Sequence, residues 1–124
     1  MMNPKKRYLR LDSIVAYMKT EADGDEIFIK DKDEKVAPAD AKFVRMKHHE
    51  LVPLNVQIEL SESDQWVQLE LWDYDLLSAN DALGTFRFLV DEVAENFSTE
   101  LVRQGGSEAR YVLNWSVVER SVTL

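Results

Sequence analysis

Three aspartates near the middle of the chain have the types and spacing of ligands for a hard cation. Within residues 71–84 an apolar run ends at Asp73-Tyr74-Asp75, five residues follow, and Asp81 comes shortly before Gly84. Asp73 and Asp75 have the same parity, so their carboxylates point to one side of an extended chain. Two carboxylates ~4 Å apart repel each other by about 4 kcal/mol at an effective dielectric constant of ~20. The segment therefore predicts a Ca²⁺ site at Asp73, Asp75 and Asp81, since Ca²⁺ prefers oxygen ligands and removes that repulsion.

Two adjacent leucines, Leu76 and Leu77, lie between the second and third of these aspartates. Apolar side chains at a loop tip can enter a membrane, fill a pocket on a protein partner, or fold back onto their own domain, and the sequence leaves these three readings equal. Burying both would contribute roughly 3–5 kcal/mol. The simpler alternative for the whole segment is a solvated turn rich in Asp and Asn. A turn needs only one or two such residues, which favours ion binding.

The charges of this chain are unevenly distributed. The formal net charge is −8, which excludes non-specific nucleic-acid binding because that requires a basic face. Between His48 and Phe86 there is no Lys or Arg, although eight Asp and Glu residues fall there. Before that stretch, Lys42, Arg45 and Lys47 form a candidate basic patch, with a solvated strand face as the alternative.

Residue patterns typical of catalysis are missing from the sequence. It has no phosphate-binding glycine loop, no Gly-x-Ser-x-Gly, no His-Glu-x-x-His and no cysteine. Its two histidines, His48 and His49, are adjacent in a predicted strand, where neighbouring side chains point opposite ways and do not share a metal ion. The chain is therefore predicted to be non-enzymatic, with no small-molecule substrate.

A period of two residues dominates the apolar pattern and predicts β-strands. The clearest strands cover Leu54–Leu60, Val67–Leu71 and Tyr111–Val117. Further strands are expected at Tyr8–Tyr17, Glu26–Lys30, Lys42–Lys47 and Leu83–Val90. Seven or eight short strands predict an all-β fold, an antiparallel two-sheet Greek-key sandwich, as one domain over residues 1–124.

One segment has a different period. Between Val90 and Val102 the apolar residues recur at helical spacing, and Asp91 is suited to cap a helix start. These apolar residues are Val90, Val93, Ala94, Phe97, Leu101 and Val102. The pattern predicts one short helix before the last strand.

Two segments of the chain resemble the C2 domain family, the lipid-binding β-sandwich modules of protein kinase C and synaptotagmin. Residues 71–84, with their three aspartates and Gly84, resemble the third calcium-binding loop of that family. The run Gly24-Asp25-Glu26-Ile27-Phe28-Ile29-Lys30 resembles its Gly-Ser-Asp-Pro-Tyr-Val-Lys signature, with Glu26 in place of Asp and Ile27 in place of Pro. The resemblance implies a C2-like sandwich in which Glu26 and another acid, from Glu21, Asp23 or Asp25, supply first-loop ligands for Ca²⁺. It also implies a tip at Leu76 and Leu77 that enters anionic membranes, and phosphoinositide contacts by the candidate basic patch.

Two functions follow as expectations. The first is a Ca²⁺-binding module that docks on an anionic membrane surface or a protein partner through its acidic loops. The second is a metal-independent structural or adaptor subunit of a larger assembly. The basic Lys5-Lys6-Arg7 is followed by no apolar run, so no signal peptide is predicted. The expected location is cytoplasmic, either peripheral to a membrane or exported by a route without a signal peptide.

Overall fold

The structure, a computed structural model, describes residues 4–18 and 25–121, and all of the regular structure in those ranges is β-strand. The strands are β1 (Lys5–Met18), β2 (Asp25–Asp31), β3 (Glu34–Ala37), β4 (Val44–Met46), β5 (Leu51–Glu59), β6 (Trp66–Asp73), β7 (Asp81–Leu89), β8 (Ala94–Glu100), β9 (Val102–Arg103) and β10 (Arg110–Ser121). The predicted all-β class is confirmed.

Two antiparallel sheets form the sandwich. One has the order β5-β1-β10-β8, and the other has the order β3-β2-β6-β7-β9, with β4 also pairing with β2. The longest ladder joins β1 to β10, from Lys5 opposite Ser121 to Met18 opposite Arg110. A register shift between Leu11 and Ser13 in β1 explains why Leu11 and Ile14, three residues apart, both face the core.

The core lies between the inner faces of the two sheets. In β10 the buried apolar residues alternate, as the period-two pattern predicted: Tyr111, Leu113, Trp115 and Val117. Across the core, Phe88 of β7 meets Trp115 edge-on with ring centroids 5.2 Å apart. The inward residues of β5 are only half-buried, because β5 is an edge strand.

The helix predicted between Val90 and Val102 is wrong, since residues 94–100 form strand β8 along the edge of β10. The apolar positions make no continuous buried face: Val90 is buried, whereas Val93 is 55% and Val102 62% exposed. Trp115 contacts this strand at two points. Its ring packs at a tilt against Phe97 with centroids 5.2 Å apart, and its Nε1 donates a hydrogen bond to Thr99 Oγ1 at 2.9 Å. A helix in this place would leave the backbone groups along β10 without strand partners.

Several connections meet at one end of the sandwich, which we call the loop end. Strand pairing puts the end of β1, the start of β2 and the end of β6 there, since Ile27 lies opposite Asp73 and Met18 lies opposite Arg110. The loops 47–50, 74–80 and 104–109 emerge from this same end. Asp23, expected from sequence as a metal ligand, lies outside the described residues.

We predict that Gly84 is required for folding and not for ion binding. The register moves from Leu71 opposite Gly84 to Trp72 opposite Ala82, so β7 has a bulge at this point. A Cβ on Gly84 would lie 2.2 Å from the backbone oxygen of Val102 in β9. Gly84→Ala should lower the free energy of unfolding by about 1–3 kcal/mol in chelator and in Ca²⁺ alike, measured by urea denaturation.

Gly106→Ala is the matched control, because a Cβ there meets nothing within 4 Å. Equal effects of the two substitutions, or a Gly84→Ala effect confined to Ca²⁺ affinity, would contradict this assignment.

Candidate cation and docking site at the loop end

Two aspartates close the apolar core at the loop end. Asp25 begins β2 and Asp73 ends β6, and both occupy inward positions that continue the buried rows of Ile27 and Leu71. Asp25 is 0% exposed and Asp73 is 5% exposed. Tyr111 in the opposite sheet donates its hydroxyl hydrogen to Asp25 Oδ2 at 2.5 Å, and the Glu26 amide donates to Asp73 Oδ1 at 3.0 Å. The apolar core therefore ends in two buried carboxylates at the loop end.

Asp25 and Asp73 both act on the Tyr111 hydroxyl. Burial raises the pKa of the Tyr111 hydroxyl most, and its hydrogen bond to Asp25 raises it further. The negative charges of Asp25 and of Asp73 also raise this pKa. Both carboxylates are thus within electrostatic reach of one phenol.

Asp81 lies beside Asp73 and faces solvent. The two are opposite each other in the ladder between β6 and β7. Both line an open cleft of about 620 Å³ whose other wall is the loop 104–109, which contributes Glu108. The sequence analysis did not identify Glu108, although a carboxylate two residues after the Gly105-Gly106 pair was the available signal.

The Asp75 side chain forms hydrogen bonds within its own loop, 74–80. The regular strand ends at Asp73, so the parity that was expected to align Asp75 with it does not continue. Asp75 Oδ1 accepts the Leu77 amide at 2.9 Å, and Oδ2 accepts the Ser78 hydroxyl at 2.6 Å. The Asp75 amide in turn donates to Asn80 Oδ1 at 2.8 Å. The Ser78 hydroxyl first, and then the Leu77 amide, lower the pKa of the Asp75 carboxyl.

Glu26 faces the opposite side of its sheet from Asp25, as alternation along β2 requires. Its Oε1 forms an ion pair with Arg45 Nη2 at 3.1 Å, across the pairing of β2 with β4. Arg45 of the candidate basic patch is thus paired, while Lys42 and Lys47 lie exposed on either side of β4.

The strand predicted to contain the two histidines ends earlier than expected. β4 stops at Met46, and His48 and His49 lie in the turn 47–50, where His49 has a φ of 61°. Their ring centroids are 4.1 Å apart in an edge-on contact, not on opposite faces of a strand. The expectation that they point apart is wrong because a turn, not a strand, sets their directions.

Two aspartates of the described residues line one cleft at the loop end. Ca²⁺ takes six to eight oxygen ligands, and Asp73 and Asp81 present carboxylates to one cleft. Within residues 4–18 and 25–121, however, no three His, Asp or Glu side chains are grouped as metal ligands. A calcium site at this end would require further oxygen ligands, and Asp23, which the sequence predicts as one, lies outside those ranges.

The tip of the loop 74–80 is apolar and exposed. Leu76 is 80% and Leu77 93% exposed, so neither packs on the sandwich. The hydrogen bonds of Asp75 and Asn80 hold the backbone on both sides of the tip. The loop therefore presents two adjacent apolar side chains to solvent.

Comparison with known proteins identifies the fold. No family model matches the chain, and no match was found among curated proteins. Among solved structures, a C2 domain of plant extended synaptotagmin 1 matches with a TM-score of 0.63 and 16% identity over 100% of both chains. Human GIVD cytosolic phospholipase A2 matches with a TM-score of 0.59 and 10% identity over 98% of this chain, which spans 17% of that protein. The chain has a C2-like fold.

In the part that the structure describes, no helix is long and apolar enough to cross a membrane.

We predict that the ionised Asp75 holds the tip in place. Because its pKa is lowered in the folded protein, its contribution to loop order is present above the ordinary carboxyl pKa of about 3.9 and is lost as the pH falls through the lower folded value. A ¹³C NMR titration of the carboxyl groups should give Asp75 a pKa below that ordinary value. Ser78→Ala should raise it, because the Ser78 hydroxyl is the main cause of the shift.

Ser63→Ala, in the loop between β5 and β6, is the control and should leave the Asp75 pKa unchanged. An Asp75 pKa that does not respond to Ser78→Ala would contradict the hydrogen-bonded geometry of this loop.

We also predict that the Tyr111 hydroxyl stabilises the fold through Asp25. Tyr111→Phe keeps the ring but removes the hydrogen bond to a buried carboxylate. The free energy of unfolding should fall by about 1–3 kcal/mol, measured by thermal or urea denaturation in chelator. Tyr17→Phe, at a ring that is 48% exposed, is the control with an expected change within ~0.5 kcal/mol. A Tyr111→Phe protein as stable as the parent would show that this hydrogen bond contributes nothing to the free energy of unfolding.

Proposed function

We propose that this chain is a non-enzymatic docking module that binds an anionic membrane surface through its loop end, with Ca²⁺ as the bridging ion. The observation that carries the proposal is the exposure of Leu76 and Leu77 at the tip of the loop 74–80. Moving both leucines from water into the acyl boundary of a bilayer would contribute roughly 3–5 kcal/mol. This is too little for stable anchoring without a second attraction.

The charge of the chain explains why an ion is part of the proposal. A net charge of −8 and the aspartates beside the tip repel an anionic lipid surface. Ca²⁺ bound between those aspartates and lipid headgroups would turn the repulsion into attraction. The two leucines would then add to the electrostatic contact, and the two contributions together would give reversible binding.

We assign the ligand role to Asp73 and Asp81, which share a cleft, and to Asp23 from the first loop. Asp25 lies behind them as a buried carboxylate oriented by Tyr111. Asp75 and Glu26 receive structural roles in this proposal, because Asp75 organises its own loop and Glu26 pairs with Arg45. When bound, the ion would neutralise the carboxylates and coordinate phosphate oxygens of the lipid.

A metal-independent adaptor is the second candidate, and one observation favours it. The tip is already held by Asp75, Ser78 and Asn80, so presenting the leucines needs no ion. In that case Leu76 and Leu77 would fill an apolar pocket on a protein partner in a larger assembly.

Sedimentation with vesicles tests the proposal. Vesicles of equal parts phosphatidylserine and phosphatidylcholine should pull down the parent chain in millimolar Ca²⁺ and release it in chelator. Leu76→Ser combined with Leu77→Ser should abolish this sedimentation while changing the free energy of unfolding by less than ~1 kcal/mol, because both side chains are exposed. Leu89→Ser combined with Val93→Ser, also exposed but at the other end, is the matched control and should sediment like the parent.

The melting temperature separates ion binding from membrane binding. If Ca²⁺ binds, raising it to 100 times its dissociation constant should stabilise the fold by about 2.7 kcal/mol, and Mg²⁺ should stabilise it less. A parent chain that gains stability in Ca²⁺ but never sediments with vesicles would have an ion site that does not serve membrane binding. A parent that does neither leaves the adaptor as the better reading, and a double tip variant that sediments normally would contradict the role of the leucines.

A further inference from the structure

The turn 47–50 holds two histidines against the end of β1, at the loop end. The His49 amide donates to the Ala16 carbonyl at 2.7 Å, and the Ala16 amide donates to the Glu50 carbonyl at 3.1 Å. These two bonds fix the backbone of the turn, which we call the histidine turn. Three of its side chains are exposed: Lys47, His48 and His49.

An apolar patch lies on the solvent side of the sheet β5-β1-β10-β8, close to this turn. Val15 and Tyr17 of β1 point outward, because the residues on either side of Val15 are fully buried. Val15 lies opposite Leu51 of β5 and opposite Val112 of β10. Leu51 is 56% exposed and Tyr17 is 48% exposed. These four residues are called the outer patch below.

The histidine turn and the outer patch form one surface. The Tyr17 ring contacts the His49 ring edge-on with centroids 6.4 Å apart, and the His49 ring contacts the His48 ring at 4.1 Å. Leu51 follows Glu50 of the turn directly. A tyrosine suits the boundary between lipid and water, because its ring is apolar and its hydroxyl is polar.

The charge of this surface depends on pH. Within the turn, the Lys47 ammonium is opposed by the Glu50 carboxylate, whose Oε1 accepts the Lys47 amide at 3.3 Å. On β1 the neighbouring titratable group is the Tyr17 phenol, and on β10 it is Arg110, which pairs with Glu100 at 3.7 Å. The acids of the segment after β1, Glu21 and Asp23, lie outside the described residues. Histidine ordinarily changes charge between about pH 5 and pH 8, so acidification adds positive charge to this surface.

We propose that the histidine turn and the outer patch form a second contact with an anionic membrane surface, which needs no Ca²⁺ and strengthens on acidification. The negative potential of such a surface attracts each added positive charge and also attracts protons, so contact itself favours charged histidines. The turn 47–50 and the loop 74–80 emerge from the same end of the sandwich, so both contacts can meet one membrane. A second copy of the chain fits this surface less well, because two chains of net charge −8 repel each other.

Sedimentation in chelator tests this proposal with the phosphatidylserine and phosphatidylcholine vesicles used above. The parent chain should bind at least about fivefold more tightly at about pH 5.8 than at about pH 7.5, since one added charge near an anionic surface is worth about that factor. Carboxyl groups ordinarily titrate near about pH 4, so they change little over this interval. Vesicles of phosphatidylcholine alone should bind the chain at neither pH.

Two histidine variants separate the charge of the turn from the rest of the chain. His48→Gln combined with His49→Asn should bind equally weakly at both pH values, and asparagine is chosen because it tolerates the φ of 61° at this position. His48→Lys combined with His49→Lys carries a fixed charge and should bind equally well at both pH values. A pH response that survives in either variant would overturn the proposal.

The outer patch has its own variant. Tyr17→Ser combined with Leu51→Ser should weaken binding at about pH 5.8 about tenfold, because both apolar side chains are lost from the contact. Leu89→Ser combined with Val93→Ser, exposed at the other end of the sandwich, is the matched control and should bind like the parent. Equal affinities of these two variants would overturn the role of the outer patch.

The pH response and the Ca²⁺ response fail separately. A parent chain that sediments in Ca²⁺ at neutral pH but gains nothing from acid in chelator would overturn this inference alone. Binding in acid to phosphatidylcholine vesicles as strong as to the anionic vesicles would also overturn it, because the contact would then not be electrostatic. A parent that responds to acid but never to Ca²⁺ would support this contact and contradict the bridging ion.

Discussion

The hydrogen bond between Tyr111 and Asp25 lies where the apolar core ends and the connections at the loop end begin. Burying a carboxylate costs several kcal/mol unless polar groups compensate it, and the Tyr111 hydroxyl supplies such a group from the opposite sheet. The bond therefore joins the two sheets at the loop end. Because Asp73 lies beside this pair and accepts the Glu26 amide, the aspartates at the base of the loops have fixed positions. The cleft shared with Asp81 depends on that fixed base.

The strands were predictable where one face of the sheet is buried, because apolar side chains then recur at every second residue. β6, β7 and β10 met this condition, and their positions were predicted to within a few residues. β8 did not, since it is an edge strand whose apolar residues are mostly exposed, and Phe97 covers Trp115 from the rim of the core. Helical spacing at β8 was therefore a coincidence of residues with different roles. Only the long-range pairing with β10 could correct it, and that pairing is not visible in a local pattern.

The acidic loop shows the same limit at the level of side chains. Spacing brought Asp73 and Asp81 together correctly, because both lie within the ladder of β6 and β7. It did not anticipate Asp75, whose carboxylate is used by Leu77 and Ser78 once the chain leaves the strand. Nor did it anticipate that Arg45 would pair with Glu26, since β4 and β2 are joined only by the folded sheet. Residue type indicates what a carboxylate can bind, but backbone geometry decides which donor reaches it first.

The carboxylates of this small sandwich lie in two different environments. At the loop end the carboxylates lie beside an apolar tip, so a cation there would act on whatever Leu76 and Leu77 touch. Beside β6, Glu70 accepts the Trp72 indole N–H at 3.4 Å and lies opposite Lys30 in the ladder of β2 and β6. At the loop end, in contrast, Asp73 lies opposite a second acid, Asp81. An acid that faces a basic residue within its own sheet is compensated by folding alone, whereas two acids that face each other repel and favour a cation from solution.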